Sequence, residues 1–228
     1  MRRQDWAQAA SVGFALVGIG AAARRRWRWA MPLLAGAAAA DAAGRVASRR
    51  APRPIPASMR WVLRLPHPTG VLQRALEPRP GERILEIGPG LGQAATSVAT
   101  WIAPQGRLDV LDVQQVMLDE TMRRAERMDI DNITPTLAAA EEPLPYPEAS
   151  FDAAYLSGVL GEIPDRQRTL NELHRVLKRG GRLVIAEVAG DPDFVPFRSL
   201  RPQAALAGFE LDRRLGPPLA YMARFLAV

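Results

Sequence analysis

From residue 69 onward, the apolar positions follow two alternating spacings. Short, largely apolar runs are typical of buried strands, and the runs at residues 83–87, 108–113, 133–137, 151–156 and 182–188 are predicted as strands. Apolar residues three or four positions apart are typical of helices and occur at 91–102, 114–128, 166–177 and 197–207. Two further strands are predicted near 209–215 and 220–227. This alternation predicts an α/β fold, with a mostly parallel sheet and helices on both faces.

The first 60 residues have a different pattern. Residues 6–23 carry no charge, residues 24–29 are Arg-Arg-Arg-Trp-Arg-Trp, and a second apolar stretch covers 30–43. A membrane span needs about 20 apolar residues, and Arg beside Trp suits a membrane–water interface. An anchor with one or two spans and a soluble Ala-rich helical extension are both compatible with this pattern. A cleaved signal peptide is disfavoured, because three Arg residues stand where a small-residue cleavage site is expected.

Prolines separate this leader from the rest of the chain. Residues 51–56 are Ala-Pro-Arg-Pro-Ile-Pro, which cannot be helical throughout, and short helices are predicted at 58–65 and from Thr69 to about residue 76. We therefore divide the chain into a possible membrane anchor at 1–50, a Pro-rich linker with short helices at 51–80, and a catalytic domain at 81–228.

The net charge of +6 divides unevenly along the chain. Residues 1–60 contain 11 Arg and 2 Asp, a charge of +9, so residues 61–228 carry −3. The mildly acidic domain offers no broad basic surface, so no nucleic acid partner is expected. If the leader enters a membrane, the positive-inside tendency places the domain at the cytoplasmic face. With no Cys and only two His, disulfides and a Cys nucleophile are excluded and no metal site is expected.

The densest chemical signal is the sequence ERILEIGPGLG at residues 82–92. A strand ends in the acid Glu86, and Gly88, Gly90 and Gly92 then precede a helix. Such a loop lets a ligand approach the backbone beside free helical N–H groups. The second strand ends at Asp112, where an acid can accept hydrogen bonds from both ribose hydroxyls of an adenosine. The G-x-G-x-G spacing differs from the G-x-G-x-x-G fingerprint of dinucleotide-binding proteins, which disfavours a nicotinamide cofactor.

Four stretches together resemble the class I S-adenosylmethionine-dependent methyltransferases. These are LEIGPGLG, LDV at the second strand, LPYPEASFDAAYLSGVLGEIPD and LNELHRVLKRGGRLVIAEV. They are most similar to the branch that contains ubiquinone/menaquinone and small-molecule or lipid methyltransferases. The resemblance covers about residues 70–228. It implies a Rossmann-like sheet of seven strands in which the last strand is antiparallel, and S-adenosylmethionine as the cofactor.

The resemblance also implies which residues bind this cofactor. Asp112 is expected to hold the ribose, Val113 and Gln114 to lie along the adenine, and Ser157 to lie beside the sulfonium. The loop after the third strand departs from the family pattern, because Ala138-Ala139-Ala140-Glu141 replaces a Gly-Asp-Ala-like run. The full expected set is Glu86, Gly88, Pro89, Gly90, Gly92, Asp112, Val113, Gln114, Ala140, Glu141, Ser157 and Gly158.

Three residues are candidate catalytic groups. Methyl transfer mainly needs alignment of the reactants and exclusion of water, and it needs a general base only when the nucleophile must lose a proton. Glu162 stands in the segment that faces the substrate in the family, and Glu187 follows the fifth strand towards the expected cleft. His67 lies between two prolines, where a substrate lid could form.

These observations lead to a hypothesis about function. The chain is expected to methylate a small or lipophilic acceptor, such as a quinone or a lipid, at the membrane surface. The alternative is a membrane-tethered binding module with a methyltransferase fold and no catalytic activity. The departure at residues 138–140 motivates that alternative. The sequence leaves the oligomeric state open.

Overall fold

The computed structural model describes residues 69–189, 191 and 193–228. Strands and helices alternate along this part of the chain. The strands are β1 (Arg83–Ile87), β2 (Arg107–Asp112), β3 (Ile133–Leu137), β4 (Phe151–Ser157), β5 (Leu177–Val188), β6 (Phe209–Leu215) and β7 (Ala220–Ala227). The helices are α1 (Thr69–Leu76), α2 (Gln93–Ile102), α3 (Gln115–Arg127), α4 (Arg166–Val176) and α5 (Phe197–Leu206), with a short 3-10 helix at Leu160–Glu162.

The seven strands form one sheet in the order β3-β2-β1-β4-β5-β7-β6. Strands β1 to β5 pair in parallel, whereas β7 pairs antiparallel with both β5 and β6. Strand β7 therefore runs against all the others, which confirms the expected sheet. The strand order reverses between β1 and β4, and ligands of open α/β sheets bind at the carboxyl ends of the strands beside such a reversal.

Two hydrophobic clusters cover the two faces of the sheet. Helices α1, α2 and α3 supply one face, through side chains such as Leu76, Ile102 and Leu118. Helices α4 and α5 supply the other, through side chains such as Leu173 and Leu200. Because the central strands are buried on both faces, β1 and β4 consist of almost continuous buried residues. Helices on both faces were predicted from the apolar spacing.

Most predicted elements are confirmed, and β5 differs most from its prediction. It begins at Leu177 rather than at residue 182, directly after α4 ends at Val176. Leu177 pairs with Phe151 and the next pair is Ala153 with Arg182, so the β4–β5 register shifts across the Gly180-Gly181 sequence, where Gly180 has a positive φ of 74°. Helix α2 begins at Gln93, because the last glycine of the preceding loop caps it.

The predicted anchor at 1–50, residues 51–68 of the predicted linker at 51–80, and His67 lie outside the described residues. Within residues 69–189, 191 and 193–228, no helix combines the length and the apolar character that crossing a bilayer requires. The division of the chain at residues 50 and 80 stays a prediction.

Candidate functional site

A cavity opens at the carboxyl ends of β1, β2 and β4, beside the reversal in strand order. It encloses about 1080 Å³ of empty space, including its open mouth. Its walls come from the loops that follow these strands and from the first turns of α2 and α3. The lining residues are Glu86, Ile87, Gly88, Pro89, Gly90, Leu91, Gln93, Ala94, Leu111, Asp112, Val113, Gln114, Met117, Ala138, Ala140, Glu141, Ser157, Gly158, Val159, Glu162, Ile163 and Pro164.

The glycine loop after β1 forms the floor of this cavity. Gly88, Gly90 and Gly92 all have positive φ, at 72°, 57° and 73°, which favours glycine over residues with a side chain. A Cβ added at Gly88 would clash with the side chain of Val159, and one at Gly92 would lie 2.9 Å from Thr121 Cα. Gly92 also caps α2, so the first turn of that helix faces the cavity. The loop therefore brings bare backbone close to any bound molecule.

Glu86 stands at the end of β1 and is almost fully buried, with 3% of its surface exposed. Its Oε2 atom has no hydrogen-bond partner within the described chain. Burial raises the pKa of Glu86 to about 8; the Tyr155 hydroxyl opposes this rise, and the charge of Asp112 adds to it. A buried carboxyl that lacks a partner and lines a cavity is suited to a ligand that brings a donor or a positive charge.

Asp112 ends β2 at the opposite side of the glycine loop. Its Oδ1 atom accepts a hydrogen bond of 2.8 Å from the backbone N–H of Gln114, which fixes the carboxylate at the cavity wall. Burial raises the pKa of Asp112, and the backbone N–H groups of Gln114 and Val113 oppose that rise. Val113 and Gln114 lie next to it in the lining. The predicted ribose-binding and adenine-binding residues are thus neighbours in the structure.

The loop after β3 brings Ala138, Ala140 and Glu141 to the same cavity. Ala140 is buried and presents a methyl group where the family pattern has a polar run. Glu141 also lines the cavity, so a carboxylate is present beside the departure at residues 138–140. This part of the wall is therefore more apolar than the resemblance implies, with one acid at its edge.

The segment after β4 forms the remaining wall, which we call the β4 wall. It consists of the five lining residues Gly158, Val159, Glu162, Ile163 and Pro164. Glu162, at the end of the 3-10 helix, is buried, with 9% of its surface exposed. Ser157, the last residue of β4, lines the cavity directly before this wall. The β4 wall thus combines apolar side chains with one carboxyl group.

Glu187 does not line this cavity. It is 5% exposed, at the carboxyl end of β5, and its Oε2 atom accepts a hydrogen bond of 3.0 Å from the backbone N–H of Val195. Burial raises the pKa of Glu187 to about 8; the Val195 N–H opposes this rise, and the nearby Asp191 charge adds to it. The expectation that Glu187 faces the substrate cleft is therefore not what the structure shows. Glu162 and the predicted cofactor residues other than Gly92 line this cavity, whereas Gly92 packs against Thr121 and Glu187 packs beneath the segment that follows β5.

Several lining residues were not singled out from the sequence. Leu91 and Gln93 lie between or beside motif glycines, so their position could have been inferred from the loop itself. Met117 lies on the buried side of α3 and also contributes to the cavity wall. Val159 and Ile163 carry no chemical signal, and only the path of the chain after β4 places them at the site.

The cavity fits the cofactor that the resemblance implies. The glycine loop leaves no room for side chains, which suits a ligand bound against the backbone. Glu86 Oε2 lacks a partner, as expected of a group that meets a ligand's amino group. The carboxylate of Asp112, which is expected to hold the ribose, is fixed at the cavity wall by the backbone N–H of Gln114. Within the described ranges, no three His, Asp or Glu side chains are grouped as metal ligands would be.

Comparisons with known proteins agree with this geometry. The protein-family model described as the ubiE/COQ5 methyltransferase family matches residues 69–198. The ubiquinone/menaquinone biosynthesis C-methyltransferase UbiE of Rhizobium leguminosarum bv. trifolii is 40% identical over 116 residues, which are 50% of this chain and 45% of that protein. A demethylmenaquinone methyltransferase of Symbiobacterium thermophilum is 34% identical over 112 residues, 49% of this chain and 44% of that protein. The matches span less than half the length of these relatives.

A solved structure shares the fold. The crystal structure of a SAM dependent methyltransferase from Aquifex aeolicus superposes with a TM-score of 0.70 and 16% sequence identity. The superposition covers 77% of this chain and all of that one.

Proposed function

Because this chain belongs to the ubiE/COQ5 methyltransferase family, we propose that it transfers a methyl group from S-adenosylmethionine to a carbon atom of a quinone-like acceptor. Family membership confirms the predicted class I methyltransferase and its cofactor. The observation that carries the proposal is the convergence of Glu86, the glycine loop and Asp112 on one cavity, with an apolar wall beside them. The C-methyltransferase relatives support carbon as the attacked atom.

The cofactor is proposed to lie along the carboxyl ends of β1 and β2. Glu86 would accept a hydrogen bond from its amino group, which would give the buried Oε2 atom the partner it lacks. Asp112 would accept hydrogen bonds from the ribose hydroxyls. Val113 and Ala140 would contact the two sides of the adenine, and Glu141 would stand at its edge. When bound, S-adenosylmethionine supplies an electrophilic methyl group.

The acceptor is proposed to bind between Ser157 and the β4 wall. Val159, Ile163 and Pro164 provide apolar surface for an aromatic ring and exclude water from the reacting atoms. A quinone-like ring suits this wall in its reduced form, because two hydroxyl groups make its carbon atoms electron-rich enough to attack a methyl group. The same apolar wall accounts for the choice of a lipophilic acceptor over a charged one.

We assign Glu162 as the general base that accepts a proton from the acceptor. Methylation at carbon replaces a hydrogen on the ring, so one proton must leave the acceptor as the methyl group is added. Glu162 is the carboxyl of the β4 wall, and a positioned general base of this kind contributes about 10²- to 10⁴-fold to the rate. Its side chain would also orient an acceptor hydroxyl by hydrogen bonding.

Methyl transfer with a labelled cofactor tests this function. The full-length protein is incubated under reducing conditions with methyl-labelled S-adenosylmethionine and a short-chain naphthoquinol that lacks the ring methyl group. We expect label in the quinol with the wild type, and a rate about 10²- to 10⁴-fold lower with Glu162→Gln, without loss of S-adenosylhomocysteine binding. Glu142→Gln is the matched control, because Glu142 is exposed and does not line the cavity. Cofactor binding without label transfer to any quinol would contradict the proposal and favour a non-catalytic binding module.

The membrane is the proposed source of the acceptor, with the domain at the cytoplasmic face. Two sequence features support this location: the 18 uncharged residues at 6–23 and the Arg- and Trp-rich residues 24–29. Fractionation of cells that express the full chain tests it. We expect the wild type with the membranes, and Val17→Asp shifted to the soluble fraction, whereas Ile55→Asp in the linker has no such effect. Wild-type protein found wholly in the soluble fraction would contradict the location but not the methyl transfer.

A further inference from the structure

Glu187 and Tyr221 are direct neighbours across β5 and β7. The two residues are register partners in this antiparallel pair, so their side chains lie on the same face of the sheet. Both are buried, with 5% and 2% of their surfaces exposed. Neither lines the cavity, although both stand at the carboxyl edge of the sheet. Their role is therefore indirect.

Both side chains bind the backbone of one residue, Val195. Its N–H donates a hydrogen bond of 3.0 Å to Glu187 Oε2, and its C=O accepts one of 2.6 Å from the Tyr221 hydroxyl. The side chain of Val195 is itself fully buried. The two hydrogen bonds thus fix the direction of the peptide units on each side of Val195, and both are shielded from water.

Asp191 and Asp193, which precede Val195 in the chain, lie against the segment that follows β4. Gly161, in the middle of the 3-10 helix, packs so closely on the backbone of Asp193 that a Cβ at this position would clash with the Asp193 carbonyl. At Gly158, a Cβ would lie 3.6 Å from Asp191 Oδ2. The position of Asp193 therefore limits where residues 160–162 can lie, and Glu162 is the last of them.

Aromatic rings on both sides of Val195 pack against Tyr221. The Tyr221 ring meets Phe197 edge-to-face with centroids 5.5 Å apart, and Phe194 with centroids 6.2 Å apart. Arg214 lies over the Phe197 ring, 5.1 Å from its centroid. The start of α5 and the segment before it are thus packed on Tyr221 as one unit. A shift of Tyr221 would therefore displace residues on both sides of Val195.

We propose that Glu187 and Tyr221 are positioning residues, which hold Val195 and thereby press Asp193 against Gly161 and fix the β4 wall. Glu187 acts through the acceptor oxygen that it presents to Val195, and it does not touch the acceptor of the methyl group. The inference rests on the proposed methyltransferase function. It assigns a role to Glu187, a buried acid that does not line the cavity.

The uncharged form of Glu187 is sufficient for this role. Burial raises the pKa of Glu187 to about 8, so its carboxyl is mostly protonated at pH 7. The amide of a glutamine has the same shape as this uncharged carboxyl and an equivalent carbonyl oxygen. Glu187→Gln should therefore preserve the hydrogen bond from Val195, whereas Glu187→Leu fills a similar space and leaves the Val195 N–H buried without a partner. A general base would behave differently, because an amide cannot take a proton.

Steady-state kinetics of the full-length protein separate these roles. For Glu187→Leu and Tyr221→Phe we expect kcat/KM for the quinol to fall by about tenfold or more, because the wall that carries Glu162 shifts. The Kd of S-adenosylhomocysteine should stay within about twofold, because Glu86 and Asp112, which are proposed to hold its amino group and its ribose, are not in this chain of contacts. Glu187→Gln should resemble the wild type. Tyr146→Phe, which removes a hydroxyl bonded to Thr136 at 2.9 Å, is the matched control.

Backbone hydrogen exchange tests the same inference without turnover. In Glu187→Leu and Tyr221→Phe, the amides of Val195 and of Glu162 and Ile163 should exchange faster, while those of β2 keep the wild-type rate. Unchanged exchange at Val195 and Glu162, or a loss of activity in Glu187→Gln equal to that in Glu187→Leu, would overturn the inference. If the wild type methylates no quinol but the two variants show the expected faster exchange, the proposed function is overturned and the positioning role stands.

Discussion

Glu86 and Tyr155 are paired on neighbouring strands at the centre of the sheet. They are register partners in the parallel pair β1–β4, and both are buried. The Tyr155 hydroxyl stands close enough to lower the pKa of Glu86, yet no hydrogen bond of good geometry reaches it within the described residues. Burial in turn raises the pKa of Tyr155 well above its ordinary value. Two buried polar groups thus lie side by side, and one of them, Glu86, lines the cavity.

Cofactor binding should release a proton from Glu86. With a pKa of about 8, Glu86 is mostly protonated at pH 7 in the free protein. A positively charged amino group beside it favours the carboxylate, so binding lowers this pKa and drives the proton out. Calorimetric titration with S-adenosylhomocysteine in buffers of different ionisation enthalpy measures the release. We expect about one proton per cofactor at pH 7 for the wild type and none for Glu86→Gln.

Glu141→Gln is the control for this experiment, because it removes a cavity carboxyl at the predicted adenine end. It should retain the proton release of the wild type. Equal heats in all buffers for the wild type would show that Glu86 does not meet the amino group of the cofactor.

Asp112→Ala should weaken the binding of S-adenosylhomocysteine. The change removes a charged hydrogen-bond acceptor for the ribose, which is worth about 1.5–3 kcal/mol, or roughly 10- to 150-fold in Kd. Isothermal titration measures the Kd. Asp119→Ala, an exposed acid on α3, serves as the control and should bind as the wild type does. Equal affinity of the Asp112 variant and the wild type would place the ribose elsewhere.

Gly88→Ala should abolish cofactor binding, whereas Gly180→Ala should not. Both glycines have nearly the same positive φ, 72° and 74°, so an added Cβ strains both backbones by about 1–2 kcal/mol. Only at Gly88 does the Cβ clash with a cavity residue, the side chain of Val159; at Gly180 nothing lies within 4 Å. Thermal unfolding with and without S-adenosylhomocysteine separates strain from binding. A cofactor-induced rise in Tm that survives in Gly88→Ala would contradict the arrangement.

The free energy of unfolding should fall as pH rises from about 5 to about 8. Glu86 and Glu187 both have a pKa of about 8 in the folded chain, against 4.5 for an ordinary Glu. Between these values the folded state holds protons that the unfolded state has lost, so raising the pH favours unfolding. Each carboxyl contributes at most about tenfold in the unfolding equilibrium constant per pH unit.

Urea unfolding at several pH values within this range measures the effect. Glu86→Gln and Glu187→Gln should each flatten the profile, and the double variant should flatten it most. A profile with the same slope in the wild type and the double variant would mean that neither carboxyl is protonated in the folded chain.

The cofactor side of the site could be predicted because its signals are local. Glu86, Gly88 and Gly92 lie within one strand–loop–helix unit, and the backbone that the glycines allow is decided by their own residue type. Asp112 ends the next strand, and adjacent parallel strands bring their carboxyl ends together. Spacing along the sequence therefore translates directly into proximity at the cavity.

The position of Glu187 could not be predicted in the same way. Its orientation depends on its partner Tyr221 and on Val195, and the register of β5 against β7 decides which side chains share a face. The early start of β5 at Leu177 has a similar cause, because it depends on pairing with Phe151 beyond the register shift at Gly180 and Gly181. Tertiary pairing overrides local propensity at both places.

The most direct test of carbon methylation uses a naphthoquinol that carries deuterium at the unmethylated ring position. The full-length protein is incubated with this quinol and S-adenosylmethionine, and the product is analysed by mass spectrometry. We expect each product molecule to gain one methyl group and lose the ring deuterium, with product formation strongly reduced in Asp112→Ala at low cofactor concentration. A methylated product that retains the deuterium, or no methylated product from folded protein that binds S-adenosylhomocysteine, would contradict the proposed reaction.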